Sequence, residues 1–468
     1  MKMKYFKYII IGLSSLGLLF SCQDFLEENP KSLVSLNSYY NTLNEATTAL
    51  NGVYSQLQPL YTGLGIDLVA DMSADVLTKG SGAGGSSALA FDDFTFDASL
   101  GIFADLYMNH YELINSANTL IFEVEKRDYS DENLKSTIIG EAKFLRALAY
   151  FNLVRVFGDV PFRIEPSLST TGLDIERSDE SVIFDQIISD LESASESLPE
   201  NSITPGRANK ISANALLAKV YLTRNDYSNS LESLEKVIGT RSLFQNYADV
   251  FKVNNENNII ESIFEIQYGL RPVNSDIIQY LNSDKLSGHG FIYGVYAADQ
   301  KIVDAYEESD KRKMNSVWNE GQGVSFNQWF INKYNDALLP NVEATDAGMI
   351  NYPILRYADV LLMYAEVVNE IKGGPDGTAY DAINQVRNRA GLTNLPQGLG
   401  QEAFLEAVLD ERWKEFLCEG ERWFDLKRLG KLEEVLNPYG FQKGKHELWP
   451  IPQAARDVNP NLNQNDGY

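Results

Sequence analysis

From Glu132 to Val156 the apolar residues Leu134, Ile138, Ala142, Leu145, Ala149, Leu153 and Val156 fall three or four positions apart. That spacing matches the helical repeat and lays all seven along one face of a single long helix. A face of that length has to be covered by other elements, and this predicts helix packed on helix. Gly158-Asp159-Val160-Pro161 predicts where the helix ends. A second helix is expected from near Ser178 to Pro199, carrying Phe184, Ile187, Leu191, Ala194 and Leu198. Amphipathic stretches between Asn41 and Leu57 and between Phe103 and Val124 predict two more.

One pair of segments is more specific. Leu217, Ala218 and Tyr221 share a helix; a short Asn225-Asp226-Tyr227 turn follows; Ser230, Leu234 and Val237 share the next helix. Large, small and aromatic residues followed by small and large ones match the tetratricopeptide pattern. A looser pair runs from Leu355 to Met363 and on through Val368, then from Tyr380 to Ala390 after Gly373-Gly374-Pro375. Such pairs stack to bury their faces, and several are needed. Here long inserts separate them, around residues 60–100 and 240–350, richer in Gly, Ser, Asn and aromatics. Ile263-Phe264-Glu265-Ile266-Gln267-Tyr268 alternates and predicts a short strand. The expected class is mostly α: helix pairs as scaffold, loop-rich inserts and a little β. Inserts of this size on a helical scaffold are where binding residues sit.

The N-terminus sets the compartment. Lys2, Lys4 and Lys7 precede an apolar stretch from Ile9 to Phe20 that is too short to span a bilayer as a helix. It has the layout of a secretory signal. Its end, Leu19-Phe20-Ser21-Cys22, resembles a bacterial lipobox. That resemblance implies cleavage after Ser21 and a lipid anchor at Cys22. The acids that follow, Asp24, Glu27 and Glu28, resemble the export tag of surface-exposed lipoproteins. Loss of the three signal lysines, with no acid lost, takes the net charge from -25 to -28. Such a surface repels nucleic acid and anionic lipid. With Cys22 lipidated, Cys418 has no partner and no disulfide forms; a chain of 468 residues can bury a sizeable core without one. No later stretch is apolar enough to cross a membrane, so the chain is expected to be anchored rather than to span.

Several motifs, in order along the chain, resemble those of the SusD/RagB family. Asp24-Phe25-Leu26-Glu27-Glu28-Asn29-Pro30 is similar to the start of its mature members. Glu141-Ala142-Lys143-Phe144-Leu145-Arg146-Ala147, running on to Phe157-Gly158-Asp159-Val160-Pro161, is similar to its central signature. So are Gly206-Arg207-Ala208, the segment from Leu355 to Glu366, and Val386-Arg387-Asn388-Arg389-Ala390-Gly391-Leu392. Further on, Glu411-Arg412-Trp413 leads to Glu421-Arg422-Trp423-Phe424-Asp425, and Pro450-Ile451-Pro452 leads to the closing Asn459–Tyr468. The resemblance implies a SusD-like fold in two units. An N-terminal helical unit covers 22–240, after a signal peptide over 1–21, and a C-terminal SusD/RagB unit covers 241–468, with its loop-rich insert at about 241–350. It also implies an outer-membrane lipoprotein, not an enzyme. Such a protein captures glycans, or in some members peptides, and delivers them to a SusC-like TonB-dependent transporter. The tetratricopeptide face would pack on that channel and the ligand would lie on the inserts.

Other chemistries are poorly supplied. Glu411, Glu415 and Glu419 recur every four residues and offer the paired carboxylates of a glycosidase. With Arg412 and Arg422 nearby, they read better as a solvated or ion-paired stripe. Trp413 and Trp423, inside signature helices, are expected in the core, and Arg356, Asp359 and Arg387 are expected to fix helix packing. His110, His289 and His446 have no metal-ligand spacing. Cys418 is expected to be buried in a helix, and no nucleophile motif appears. The run Gly80–Ser87 lacks the ending of a phosphate loop and reads as a flexible surface loop. No cofactor or metal is expected.

Sugar rings present faces of C–H groups on which aromatic rings stack, while polar neighbours bond the hydroxyls. The first insert offers Phe94, with Phe91 and Phe96; the second offers Phe291, Tyr293, Tyr296, Trp318, Trp329 and Phe330. Trp318, in a loop-like setting, and Tyr293 are the foremost candidates. Each of these rings could instead tether its loop to the scaffold. The aromatics favour a glycan over a peptide, and a helical glycoside hydrolase is the reading from another class. The acidity disfavours sulfated or uronic chains unless a local basic patch overrides it; Lys311-Arg312-Lys313 is the candidate patch, with flanking acids that point to a solvated turn.

Overall fold

The computed structural model describes residues 39–468, apart from residues 62, 83–86, 168, 170–171, 203, 253–259, 269–280, 282–293, 322–323 and 335–349. The signal, Cys22, Phe291, Tyr293 and His289 lie outside the described residues.

The expected helices are present. In chain order they are α1 (Leu43–Ser55), a short α2 (Ile66–Met72), α3 (Gly101–Glu125), α4 (Glu132–Phe157), α5 (Glu180–Ser197), α6 (Lys210–Thr223) and α7 (Tyr227–Glu235). After the second insert, which holds the short α8 (Lys311–Ser316), come α9 (Tyr357–Lys372), α10 (Gly377–Arg389), α11 (Gln401–Glu415), α12 (Glu421–Arg428) and a last turn α13 (Gln453–Val458). Their ends follow local chemistry. The Asp131 side chain accepts from the Leu134 amide to start α4, and Asn209 and Ser212 cap each other's backbone to start α6. At Gly158, φ is +69° and an added Cβ would lie 2.9 Å from Leu448. Only glycine turns the chain there without strain.

The stripe on α4 understates its burial. Phe144, Ala147, Leu148, Tyr150, Phe151 and Asn152 are buried as well, because α3 and α5 pack on opposite sides of it and α1 closes a third. Arg146 is thereby enclosed, and its charge is met by Asp190 at 2.7 Å and by Asn118 at 2.8 Å. A buried guanidinium is tolerable only when so partnered.

Packing then passes from α5 to α6, α6 to α7, α7 to α9, and α9 to α10 and α11. Pairs that are far apart in sequence thus stack as neighbours in space. The second insert leaves and returns at one point. Earlier in the chain the short β2 (Val160–Pro161) and β3 (Arg177–Ser178) pair antiparallel; at the insert, β4 (Ser262–Ile266) pairs antiparallel with β8 (Tyr352–Arg356), Ser262 opposite Arg356 and Ile266 opposite Tyr352. The strand expected at Ile263–Tyr268 is therefore real, whereas the helix expected from Leu355 begins only at Tyr357. Side chains from both ends of the chain join one hydrophobic core, from Tyr40 to Leu462. Among the described residues no helix is long and apolar enough to cross a membrane.

Candidate functional site

The two inserts meet in one antiparallel sheet. Its strands are β1 (Leu77–Lys79), β5 (Tyr296–Ala298), β6 (Val317–Gly321) and β7 (Val324–Ile331), in the order β1-β5-β7-β6. Leu77 pairs with Ala298, Ala298 with Trp329, and Trp318 with Phe330. Cross-strand partners share a face and successive residues alternate. The inner face therefore carries Leu77, Val317, Ile331 and Ala298, which join the main core. The outer face carries Ala297 and Phe330 with Trp318 and Phe326 half-buried against them, a small apolar cluster of its own. The Phe326 and Phe330 rings meet edge to face, centroids 5.5 Å apart. Gln328, between Phe326 and Phe330 on this face, is half-buried, and Ser325 and Asn327 alternate to the opposite face. The Gln328 amide donates to the Lys79 carbonyl at 2.9 Å and ties β7 to the edge strand β1.

This geometry sorts the candidate rings. Trp318 is on a strand, not in a loop, and holds the outer face with Phe326. Trp329, its neighbour by one residue from Phe330, points the other way. It is half-buried against the main core, with the Lys313 ammonium 5.8 Å from its ring centre. Three candidates are closed off from a ligand. Phe330 is 0% exposed because Trp318 and Phe326 cover it. Tyr296, 2% exposed, turns into the main core. Phe94, 5% exposed, sits at φ +56° among Phe96, Trp423, Phe441 and His446, and fastens the first insert to the C-terminal segment. Phe91 and Phe96 are buried likewise. Phe326 is a platform residue that the sequence reading did not single out. Its signal was the period-two relation of Phe326, Gln328 and Phe330.

The carboxylates at Glu411, Glu415 and Glu419 are not solvated. They are enclosed with Glu261 and Asp310 against five cations. Arg312 pairs with Asp310, Glu411 and Glu415; Arg356 with Glu261, Glu415 and Glu419; Arg389 with Glu261 and Glu415. Lys333 holds Glu419, and Arg387 holds Glu411. Burial pushes the Glu415 carboxyl up, but Arg389, Arg356 and Arg312 outweigh burial and hold it well below the usual carboxylate range. A carboxylate so committed has no proton to give. Arg312 is 0% exposed, so the three cations do not form one basic patch; Lys311 is exposed and Lys313 half-buried on α8, a helix rather than a solvated turn. A second set joins Arg412 to Asp359, Glu421 and Asp425, the packing role expected of Asp359.

Cys418 is buried as expected, but in a turn at φ +58° rather than in a helix. Burial pushes its thiol well up, which leaves it a poor nucleophile. Burial also lowers His110 and His446, each to about 4. The first residues of the glycine-rich run are not free: the Gly80 and Gly82 amides donate to Val295 and Gly294 in the second insert. Trp423 is in the core, and Trp413 is half-buried beneath the Arg422 guanidinium. Among the described residues no three His, Cys, Asp or Glu side chains gather to hold a metal ion.

Stacked helix pairs bearing an insert-built sheet are an architecture shared with solved proteins. A SusD superfamily protein from Parabacteroides distasonis matches at TM-score 0.82 and 27% identity, over 91% of this chain and 99% of that one. A laminarin-binding SusD-like protein matches at TM-score 0.80 and 26% identity, over 92% and 100%. The fold is thus of the SusD superfamily. In sequence, the model described as the SusD family matches residues 322–468, and one described as starch-binding associating with outer membrane matches residues 24–222. SusD-like protein P2 of Formosa agariphila is 28% identical over 99% of this chain and 100% of its own length. In fold and over both matched segments of sequence, the chain is similar to the SusD family.

Proposed function

We propose that this protein is an outer-membrane lipoprotein, anchored through Cys22, that captures glycan chains at the cell surface and passes them to a SusC-like TonB-dependent transporter. The observation that carries the reading is the outer face of the sheet. Trp318 and Phe326 both pack over Phe330, with the Gln328 amide on the same face. Flat apolar rings with a polar rim suit a saccharide, whose C–H faces stack while its hydroxyls find hydrogen bonds. Tyr293 and Phe291, which precede β5 in sequence, remain candidate stacking residues. The family description as starch-binding and outer-membrane-associated supports the same reading, as does the laminarin-binding relative. The ion-paired state of Glu411, Glu415 and Glu419 supports capture without cleavage.

Calorimetric titration against neutral glycans and oligopeptides, with each mixture checked for cleavage, tests the proposal. Expected is binding of a neutral glycan without cleavage, weakened roughly ten-fold or more in Trp318→Ala, which corresponds to about 1.4 kcal/mol. Binding to peptides alone would overturn the ligand class, and cleavage would overturn the non-catalytic role.

A further inference from the structure

A second recess lies away from the sheet, where the end of α4, the start of α5, the end of α6, α12 and the C-terminal segment converge. It encloses about 870 Å³, within the range of pockets that take small organic ligands. Its cations are unusual for so acidic a chain. Arg224 and Arg428 have carboxylate partners. Arg155, Arg177, Lys427 and Lys445 also line the recess, and none has a carboxylate within 4.0 Å among the described residues.

The two inner cations form a unit. The Arg155 guanidinium is clamped between the Phe151 and Phe424 rings, 4.1 and 3.8 Å from their centres. Its Nη2 donates to Asn152 at 2.7 Å and its Nε to the Phe151 carbonyl at 3.4 Å, while no partner is found for Nη1 among the described residues. Lys427 Nζ donates to the Arg155 carbonyl at 2.5 Å, which leaves its other two protons unused. Burial pushes the Lys427 ammonium down to about 8. Arg155 feels Glu421 and Asp67, and Lys427 feels Glu180 and Glu447, only from beyond 4.0 Å; half-enclosed cations balanced at a distance are costly to keep, and a ligand anion in direct contact would relieve both. Arg177 is held in place by the Asp159 and Asn463 carbonyls and Asn465, and Lys445 lies over the Tyr468 ring.

The acids of the recess are placed differently. Asp179, Glu180 and Asp466 are exposed at the rim, the half-buried Asp159 accepts from the Glu180 amide at 2.9 Å and balances Arg177, and Glu447 is taken up by the Gly444 amide at 2.8 Å. A run of acidic peptide side chains would meet this rim. A polyhydroxylated ligand bearing one or two anionic groups would instead use both sets, with its anion inside and its hydroxyls at the rim.

We propose that this recess is a second ligand site, distinct from the Trp318 face, which receives the sulfate or carboxylate of an anionic saccharide between Arg155 and Lys427. The proposal does not rest on the sheet platform being the glycan site. The test is calorimetry on the full chain with a disaccharide carrying a uronate and a sulfate, its neutral counterpart, and hexaglutamate, with melting curves to verify folding. Expected is a roughly ten-fold preference for the charged disaccharide, weakened by salt, and lost in large part in both Lys427→Gln and Lys445→Gln. Equal binding of charged and neutral sugars would overturn the proposal, as would hexaglutamate as the best ligand. Unchanged affinity in folded Lys427→Gln or Lys445→Gln would do the same.

Discussion

Arg356 is the hub of the enclosed charge network, and its removal has a calculable consequence. It donates to Glu419 twice, at 2.6 and 2.7 Å, to Glu261 at 2.9 Å, and to the Glu415 carboxylate at 2.7 Å and carbonyl at 2.9 Å. Arg356→Met keeps much of the side-chain volume and deletes all five bonds. Five cations then become four against five carboxylates, in a place water does not reach. Breaking one partner out of a buried ion pair typically costs ~3–5 kcal/mol. Arg389 still holds Glu261 and Glu415, and Lys333 still holds Glu419, so a loss of about 3 kcal/mol is expected. Denaturant unfolding at neutral pH measures it, from the shift in midpoint at constant slope. Adding Glu261→Gln should restore balance, so the double variant should be more stable than Arg356→Met plus the cost of Glu261→Gln measured alone. The pH dependence follows from sign. The folded state holds Glu415 below its unfolded value, so its contribution is present above the unfolded pKa and is lost as pH falls through the folded one. Without Arg356 the folded value rises toward the unfolded one, so that loss should be smaller and be complete at higher pH. A cost under about 1 kcal/mol, or strictly additive variants, would refute the view that this network is coupled.

Phe326→Ala should weaken glycan binding in the same direction as Trp318→Ala, whereas Phe330→Ala should act mainly on stability, by about 3 kcal/mol or more, because that ring is fully enclosed; titration and denaturation together separate the two. Gly158→Ala combines a backbone at φ +69° with a Cβ 2.9 Å from Leu448 and should cost ~1–3 kcal/mol by denaturation. Asp67 gives the opposite pH effect to Glu415. Burial pushes its carboxyl up to about 7, with Glu421 adding to this and Arg155 opposing it. Its raised folded pKa means that stability falls as pH rises from about 4, the unfolded value, to 7. Asp67→Asn should flatten that part of the stability–pH curve.

Where an element is defined by its own neighbours in sequence, it could be read in advance. The α4 stripe, the α6–α7 pair and the alternation at Ile263–Tyr268 all carry local periodicity, and all are present in the structure. The boundary at Leu355 could not be read, because β8 runs straight into α9 with no breaker and its partner β4 lies about ninety residues earlier. The site was harder for the same reason. Which ring of a loop-rich insert faces outward depends on register, and register is set between strands remote in sequence. One residue of offset separates Trp329, turned to the core, from Phe330, beneath the platform. Arg312 looked like part of a surface patch because Glu411 and Glu415, which neutralise it, are about a hundred residues away. The cations of the C-terminal recess come from five separate segments and give no local signal at all.

The clasp between β4 and β8 has a consequence for how such a protein can change. Everything between Gln267 and Asn351 is an excursion whose two ends are held together by that ladder, on a helix stack that continues on either side as if uninterrupted. Closing a loop costs entropy that grows only with the logarithm of its length, about 0.6 kcal/mol for each doubling. The loops of the excursion can therefore lengthen or shorten, and its outer face can exchange aromatic residues, at small cost while the clasp stays shut and Asp310, Arg312 and Lys333 keep their places in the charge network. Selection can rewrite what the outer face of the sheet recognises and leave the frame that carries it untouched.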